Sequence, residues 1–532
     1  MILLQSTDIH LVDQDTCRRQ NISSYTLMER AAKSATQEMM RLYPDRQRPC
    51  YIFAGSGNNG GDALVVYRLL YEAGYNVKCY HFNLTGRLSD DCAIALSRAP
   101  RGRLISVDVR FVMPEPDAQS WIVDGLFGTG LNRPLDGFYA YVVKCINDSG
   151  AEIVSLDVPS GLMSESHAMV GVAAVRATHT LTFTTPKLNF LFPENQCFVG
   201  EWKVLDIGVE SESLERLSSS PYRVLTRAEV QSMLHLRNRF DHKGVNGHAA
   251  LVAGSRGMMG AALLAARACM RSGVGLLSLY TPRCGYQIIQ SGIPEAMCLP
   301  TDSEDHLAMP FPSLEAHSAI AIGPGIGRHS DTTTVLETLL KKEHSPMVLD
   351  ADALNLLSMH PLLLTQMGQR QILTPHPKEA DRLLKAALEV GLLKNRISQS
   401  YFSMSGDAQM ASHRLLYIRA LAQELRCVIV LKGTYTAICM PDGTAWFNVE
   451  HGNPGMAVGG SGDTLTGIIL SFLAQRYSPQ QAALLGVYIH ALAADQALLS
   501  GQSYESLLPS DVIAHLGMAF TALREKSIKI EI

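Results

Sequence analysis

Two successive α/β domains are what this sequence predicts, on three observations. Its 532 residues exceed what one hydrophobic core serves, since domains cluster at roughly 100–200 residues. Short apolar runs alternate with helical spacings throughout, the pattern of a parallel sheet covered on both faces. Run after run also ends in a loop of Gly, Asp, Asn, Pro or Ser, where ligands gather in such sheets. A polar stretch without periodicity, Glu210–Ser220 followed by Pro221, reads as a linker between domains at 1–215 and 222–532.

In the first half, Ser24–Arg41 carries Leu27, Met28, Ala31, Ala32, Ala35 and Met39 at helical spacing, giving one buried face. Tyr51–Ala54 is a short apolar run ending at Gly55, and Leu64–Leu70 continues as a helix. Val77–Phe82, Trp121–Val123, Ile153–Leu156 and Thr180–Phe183 read as further strands. The loops Gly55–Asp62, Asp124–Gly130 and Asp157–Gly161 follow three of these strands and should converge on one site.

The second half repeats the logic with other residues. Ala249–Ala253 precedes Gly254-Ser255, Ala319–Ile322 precedes Gly323-Pro324-Gly325, and Met347–Leu349 precedes Asp350. Ile372-Leu373 precedes Thr374-Pro375-His376, and Val428–Leu431 precedes Lys432-Gly433. The halves do not read as copies, so different α/β folds with different chemistry are expected.

Composition excludes several classes. Hydrophobic residues make up 47% and charged ones 18%, an ordinary globular balance. The net charge of −4 and the lack of any Lys/Arg run exclude nucleic acid as an implied partner. Asp8, Asp13 and Asp15 stand where a secretory leader would be basic and then apolar, and no long uncharged apolar run occurs, so neither export nor a membrane is expected. Eleven cysteines, an odd number with no CxxC pair, with Cys79, Cys269, Cys427 and Cys439 in apolar stretches, read as reduced core residues of a cytoplasmic protein.

Gly55-Ser56-Gly57-Asn58-Asn59-Gly60-Gly61-Asp62 joins a strand to a helix. Its glycines let backbone amides approach an anion at a helix N-terminus, and its amide oxygens and carboxylate can hold a cation or a ribose. A tight turn without a ligand is the plainer reading of the glycines alone. Asp124 and Asp157 end strands in the expected crevice, as acids, bases or cation ligands, or as caps of the next helix.

Together, AGSGNNGGD, DGLFGTGLNRP and LDVPSG, after a helix containing LMERAA, resemble the epimerase domain of the bifunctional NAD(P)H-hydrate repair enzymes, a Rossmann-like parallel α/β sandwich. The resemblance implies a potassium ion held by Asn59, Asp124 and Ser160. It also implies substrate contacts from Asn58, Asn59, Gly60, Gly61 and Asp62, from Gly128, Thr129, Gly130, Leu131, Asn132, Arg133 and Pro134, and from Asp157. The hydrate carries a hydroxyl at C6 beside the ring nitrogen, so that hydroxyl can leave with the nitrogen's push and return on the other face, with Asp157 shuttling the proton. Ala63 departs from a third glycine usual after the Asp.

In the second half, Gly459-Gly460-Ser461-Gly462-Asp463 precedes the apolar helical stretch Leu465–Leu473, placing several amides around one phosphate with a base beside it. No Walker or protein-kinase signature is present, so nucleotide phosphates fall to this loop and to Lys432. The combination resembles the ribokinase-like superfamily. HKGVNGHAALVAG, GMMGAALLAARACMRSGVGL, PEAM, IGPGIG, LDADALNLL, LTPHPKEADRLL and GNPGMAVGGSGDTLTG resemble more narrowly its ADP-dependent NAD(P)H-hydrate dehydratases.

That resemblance implies nucleotide contacts from Lys432, Gly433, Thr434, Tyr435 and Thr436 and from the glycine loop, including Gly462. It implies hydrate contacts near Ala261, Gly325 or Gly327, His376 and Asp463, with Asp463 as catalytic base. ADP as co-substrate, a magnesium ion, NADHX and NADPHX as substrates and a homo-oligomer are further expectations. His376 between two prolines and the glycines also suit plain turns. Val458 stands where a Thr is usual, and residues 385–411 lengthen the usual pattern, as a surface elaboration. The anion loop and Asp463 would also allow a small-molecule kinase fused to a binding module, which the TPHPKEA and IGPGIG context and the fused first domain disfavour.

Overall fold

The computed structural model describes residues 1–525 except 85, 109, 115, 117, 164–172, 343, 395 and 397–410. It divides into two compact units, Ile2–Tyr222 and the chain from Arg223 onward with Met1. Positions 397–410 of the lengthened stretch lie outside the described residues.

The first unit holds seven strands: β1 Cys50–Ala54, β2 Val77–Phe82, β3 Leu104–Val107, β4 Trp121–Gly125, β5 Glu152–Leu156, β6 His179–Phe183 and β7 Glu201–Leu205. All pair in parallel, in the order β3-β2-β1-β4-β5-β6-β7. Side chains alternate across the sheet: Ile52, Val123 and Val154 join the core beneath helix Asn58–Glu72, while Phe53, Ile122 and Ile153 join the opposite core. Chain order reverses between β1 and β4, so the crevice beyond their carboxyl ends is the natural ligand position.

The second sheet holds β8 Tyr222–Val224, β9 His248–Val252, β10 Leu276–Thr281, β11 Met297–Pro300, β12 Ala319–Ile322, β13 Met347–Leu349, β14 Gln371–Leu373, β15 Val428–Leu431, β16 Ala437–Cys439 and β17 Ala445–Phe447. Its order is β11-β10-β9-β12-β13-β14-β15-β16-β17-β8, parallel through β15 and antiparallel from there to β17. One large core lies between this sheet and helices Met259–Arg271, Ser461–Ala474, Pro479–Leu499 and Pro509–Arg524. A Cβ on Gly467 would overlap the Ala265 carbonyl, so glycine is what lets the first two of these helices touch. Pro479–Leu499 is long and apolar enough to span a bilayer, but 78% of that stretch is buried in this core.

Several readings are corrected. The supposed linker contains helix Ser211–Leu217, whose Ser213 and Arg216 reach the buried Asp15. The helix after β1 begins at Asn58, so Asn58–Asp62 form its first turn instead of a loop. Asp124 lies inside β4, one residue short of its end. The two sheets share one stretch of order, β3-β2-β1-β4 and β11-β10-β9-β12, while the second alone continues into an antiparallel edge, β15-β16-β17. Helix Ser6–Gln20 and strands β3, β7, β8, β10, β11, β16 and β17 are not among the elements read from the sequence.

Candidate active sites

In the first unit, Asn59, Asp124 and Ser160 meet. Asp124 is fully buried, and its two carboxylate oxygens accept from Ser160 Oγ (2.6 Å), Ser160 N (2.8 Å), Ser155 Oγ (2.8 Å) and Leu126 N (3.3 Å). Burial pushes its pKa up, and these four donors offset only part of that. Asn59 Nδ2 donates to the Phe127 carbonyl at 2.8 Å, turning Asn59 Oδ1 inward, where it is buried without a hydrogen-bond partner. An orphaned amide oxygen beside a buried carboxylate, the Ser160 hydroxyl and the Phe127 carbonyl is an all-oxygen donor set, the kind a hard cation takes.

The glycines here have a second purpose. A Cβ on Gly60 would overlap the Gly55 backbone, one on Gly55 would overlap the Leu126 carbonyl, and one on Gly61 would meet Met28 at 2.7 Å. Ala63 is fully buried and faces Gly125, so the side chain gained at 63 sits against one missing at 125. Asn58 and the Gly130 and Asn132–Pro134 part of the next loop are exposed, while Asn59, Gly60 and Gly61 are buried and Asp62, Gly128, Thr129 and Leu131 are half-buried.

Asp157 follows β5 in the left-handed region (φ 59°), strained for a residue with a side chain. Its Oδ1 accepts from Lys187 Nζ (2.8 Å), Thr182 Oγ1 (3.1 Å) and the Phe183 amide (3.2 Å). Lys187 is only 2% exposed and donates further to Thr182 Oγ1 and to the Phe183 and Thr185 carbonyls. Sequence reasoning missed Lys187, though a Lys after a Pro beyond a strand was the signal. Asp62 adds a carboxyl whose pKa is pushed well up by burial and then by the charges of Asp157, Asp13 and Asp91.

In the second unit, Gly460 (φ 94°) turns the chain into helix Ser461–Ala474, whose first-turn amides lack partners from within the helix. Nothing lies within 4 Å of where a Cβ would sit on Gly459 or Gly433. Asp463, in that first turn, is half-buried, and burial followed by the charge of Asp350 pushes its pKa up to about 6, against Lys432. Gly462 lies beside Lys432, whose Nζ would stand 3.2 Å from a Cβ there.

Lys432 is not free. Its Nζ donates to Asp350 Oδ1 at 2.8 Å, and Thr466 Oγ1 donates to Asp350 Oδ2 at 2.7 Å. Burial alone would raise the pKa of Asp350, but Lys432 and the hydroxyls of Thr466 and Thr374 outweigh it and hold it below the usual range. Asp350, in the LDAD stretch, was given no role from sequence; it is the anchor of the site.

His376 caps helix Pro377–Glu389, its amide donating to Glu379 Oε2 at 2.9 Å and its Nδ1 accepting from the Lys378 amide at 3.1 Å. Burial, then Lys432, lowers its pKa, so it stands neutral near neutral pH. Ala261 and Gly325 come together, a Cβ on Gly325 falling 3.3 Å from that of Ala261. Gly325 and Gly327 both need positive φ (64° and 70°), and the Gly327 amide donates to Asp352 Oδ2 at 3.0 Å. Lys432, Gly433, Thr434, Tyr435 and Thr436 form the turn between β15 and β16, closed by Thr436 Oγ1 on the Gly433 carbonyl at 3.0 Å.

Fold and sites together define a fused pair of parallel α/β units of enzyme type, the second with a glycine turn and an acid at one helix start. Residues 24–189 match the family described as YjeF-related protein N-terminus, and residues 249–516 match that described as NAD(P)H-hydrate dehydratase. A bifunctional NAD(P)H-hydrate repair enzyme of Coxiella burnetii is 36% identical over 501 residues, 93% of this chain and 94% of its own. One of Moorella thermoacetica is 32% identical over 541 residues, 99% of this chain and 98% of its own. Among solved structures, the ADP/ATP-dependent NAD(P)H-hydrate dehydratase of Bacillus subtilis shares 32% identity over 57% of this chain and 98% of its own, with a TM-score of 0.45. The chain belongs to the family of bifunctional NAD(P)H-hydrate repair enzymes.

Proposed function

We propose that the chain repairs hydrated NADH and NADPH, its first unit interconverting the R and S hydrates and its second dehydrating the S hydrate with ADP. The observation that carries the reading is the half-buried Asp463 in the first turn of a helix that opens on unobstructed glycines, beside an ion-paired Lys432. Asp463 takes the proton from the C6 hydroxyl, whose oxygen attacks the terminal phosphoryl of ADP; AMP leaves, and the ring nitrogen then expels phosphate. The glycine-loop amides stabilise the charge that develops. Lys432, with Asp350 fixing its ammonium, supplies a positioned cation in place of a mobile one.

Hydrate contacts are assigned to Ala261, Gly325, Gly327, His376 and Asp463, and nucleotide contacts to Lys432–Thr436 and Gly459–Gly462. Magnesium would come with the nucleotide: Asp350 is engaged by Lys432 and Thr466, and Glu379 by the His376 amide, so the ion would rest mainly on phosphates and water. In the first unit, Asn59, Asp124 and Ser160 would hold potassium, which fixes the loops and screens phosphate charge. Substrate contacts there fall to Asn58–Asp62, Gly128–Pro134 and Asp157. The eleven cysteines are all free, and Cys79, Cys269, Cys427 and Cys439 are buried, which supports a reducing, cytoplasmic setting. A homo-oligomer is part of the same proposal.

The test is to incubate the purified chain with mixed epimers, with and without ADP, and follow the absorbance of the reduced cofactor. Complete recovery with ADP, and none without it, is expected. Recovery that is independent of ADP, or absent with it, overturns the reading.

A further inference from the structure

The first unit contains a carboxyl group with no task so far. Asp13 lies on helix Ser6–Gln20, on the same face as Cys17 one turn on. Cys17 and Phe183 both pack against the small cluster of Leu27, Ala31 and Ile207, and the Phe183 amide and carbonyl bind Asp157 and Lys187. The helix face that carries Asp13 and the loop that fixes Asp157 therefore border one apolar cluster.

Asp13 differs from its neighbour Asp15. Asp15 is buried under Arg18, Arg19, Arg216 and Ser213, whereas Asp13 accepts no hydrogen bond from any described residue. Burial, then the charge of Asp157, pushes the pKa of Asp13 up to about 7, against the pull of Lys187. The other charged or titratable groups of this cluster are Asp62, Cys17, Asp91 and Arg30. Thr184, β-branched at φ 66°, adds strain to the same loop, the kind of local cost that collects where side chains must be held in place.

We propose that Asp13 is the proton donor of the first unit and Asp157, held by Lys187, its paired base. Resting on the epimerase reading, this gives each carboxyl one half of the proton traffic. The C6–O bond breaks with its electron pair going to oxygen, which takes the Asp13 proton and departs as water, while the ring nitrogen's lone pair forms a C=N bond. Water then adds to the opposite face of C6 and gives its proton to Asp157. Transfer of that proton from Asp157 to Asp13 restores the starting state, with no external reactant consumed. Two carboxyls in environments that set their affinities apart divide acid and base roles in this way.

The test uses the full chain without ADP, separating the two epimers chromatographically against a protein-free control. Wild-type interconversion should fall about tenfold per pH unit above about 7, as Asp13 loses its proton. Asp13→Asn should lose about 100-fold or more and show no such alkaline limb, while ADP-dependent dehydration by the same protein is unchanged. Asp13→Glu, which keeps the acid, should retain partial rate and a displaced limb, and decides the matter should the amide variant fold poorly. A wild-type rate flat through pH 7, or Asp13→Asn within twofold of wild type, overturns the assignment to Asp13 alone. A wild-type chain that does not interconvert the epimers overturns the epimerase reading itself.

Discussion

Glycine-rich turns stand at both sites, and individual glycines in them answer to different constraints. At Gly55, Gly60, Gly61 and Gly125 an added methyl would run into backbone or buried side chains. At Gly433 and Gly459 it would enter open space. The first set is required by the protein, because helix Asn58–Glu72 lies so close to the backbone at the ends of β1 and β4, and at Gly61 to Met28, that no added side chain fits. The second set is not required by packing, which leaves access for a ligand as its physical reason. A glycine-rich turn read from sequence does not distinguish the two cases; the surroundings of each α-carbon do.

The comparison breaks most sharply at the acids. Asp463→Asn should cut dehydration by about 100- to 10,000-fold while titration calorimetry shows ADP still bound and epimer interconversion proceeds at the wild-type rate. Loss of both activities would mean the units are not independent. The pH dependences should also oppose one another. Asp463 must be ionised to act as a base, and its pKa is pushed up to about 6, so dehydration should rise with pH up to about 6 and then level. Interconversion that needs a protonated Asp13 falls above about 7.

Removing Lys432 tests the anchoring ion pair. Lys432→Met leaves Asp350, 1% exposed, buried beside Thr466 without its cation. Breaking a buried pair on one side costs about 3–5 kcal/mol, so the denaturation midpoint of the second unit should drop by that equivalent. The transition of the first unit should stay in place; an unchanged second transition would show that Asp350 takes up a proton at little cost.

Gly60→Ala follows in size. Its methyl must displace the Gly55 backbone, and overpacking of this kind costs about 1–3 kcal/mol, read as a lower melting transition of the first unit. Recovery of stability by a second change is not expected, since the obstructing atoms are backbone.

How much of this was legible in the sequence depended on distance along the chain. Gly55–Asp62, Asp124, Asp157 and Gly459–Asp463 are local signals, each at or near the end of a strand or the start of a helix, and they could be read as they stand. Asp350 could not, because its partners Lys432 and Thr466 are 82 and 116 residues away and only the sheet order brings them together. Asp13 was hidden for another reason: helix Ser6–Gln20 buries Asp8, Val12, Asp15 and Thr16, a stripe too polar to reveal itself by apolar periodicity. Strand β3 has mostly half-exposed or exposed residues at the sheet edge, so no buried alternation marks it. Tight packing at Gly55 depends on the Leu126 carbonyl approaching from beyond β4, which no short window along the chain contains, whereas Gly60 is crowded by the nearby Gly55 backbone.

Gly459→Ala is the smallest change and the one that isolates the second kind of glycine. Since its new methyl meets nothing within 4 Å, stability should stay within about 0.5 kcal/mol of wild type. The same methyl stands where a phosphate approaches the loop amides, and displacing one hydrogen bond worth about 1–1.5 kcal/mol should raise the KM for ADP roughly tenfold. A variant that loses stability would place Gly459 with the packing glycines of the first unit. A variant that keeps both stability and affinity would move the phosphate off this residue and onto Gly460–Gly462, where the turn into helix Ser461–Ala474 still presents its amides.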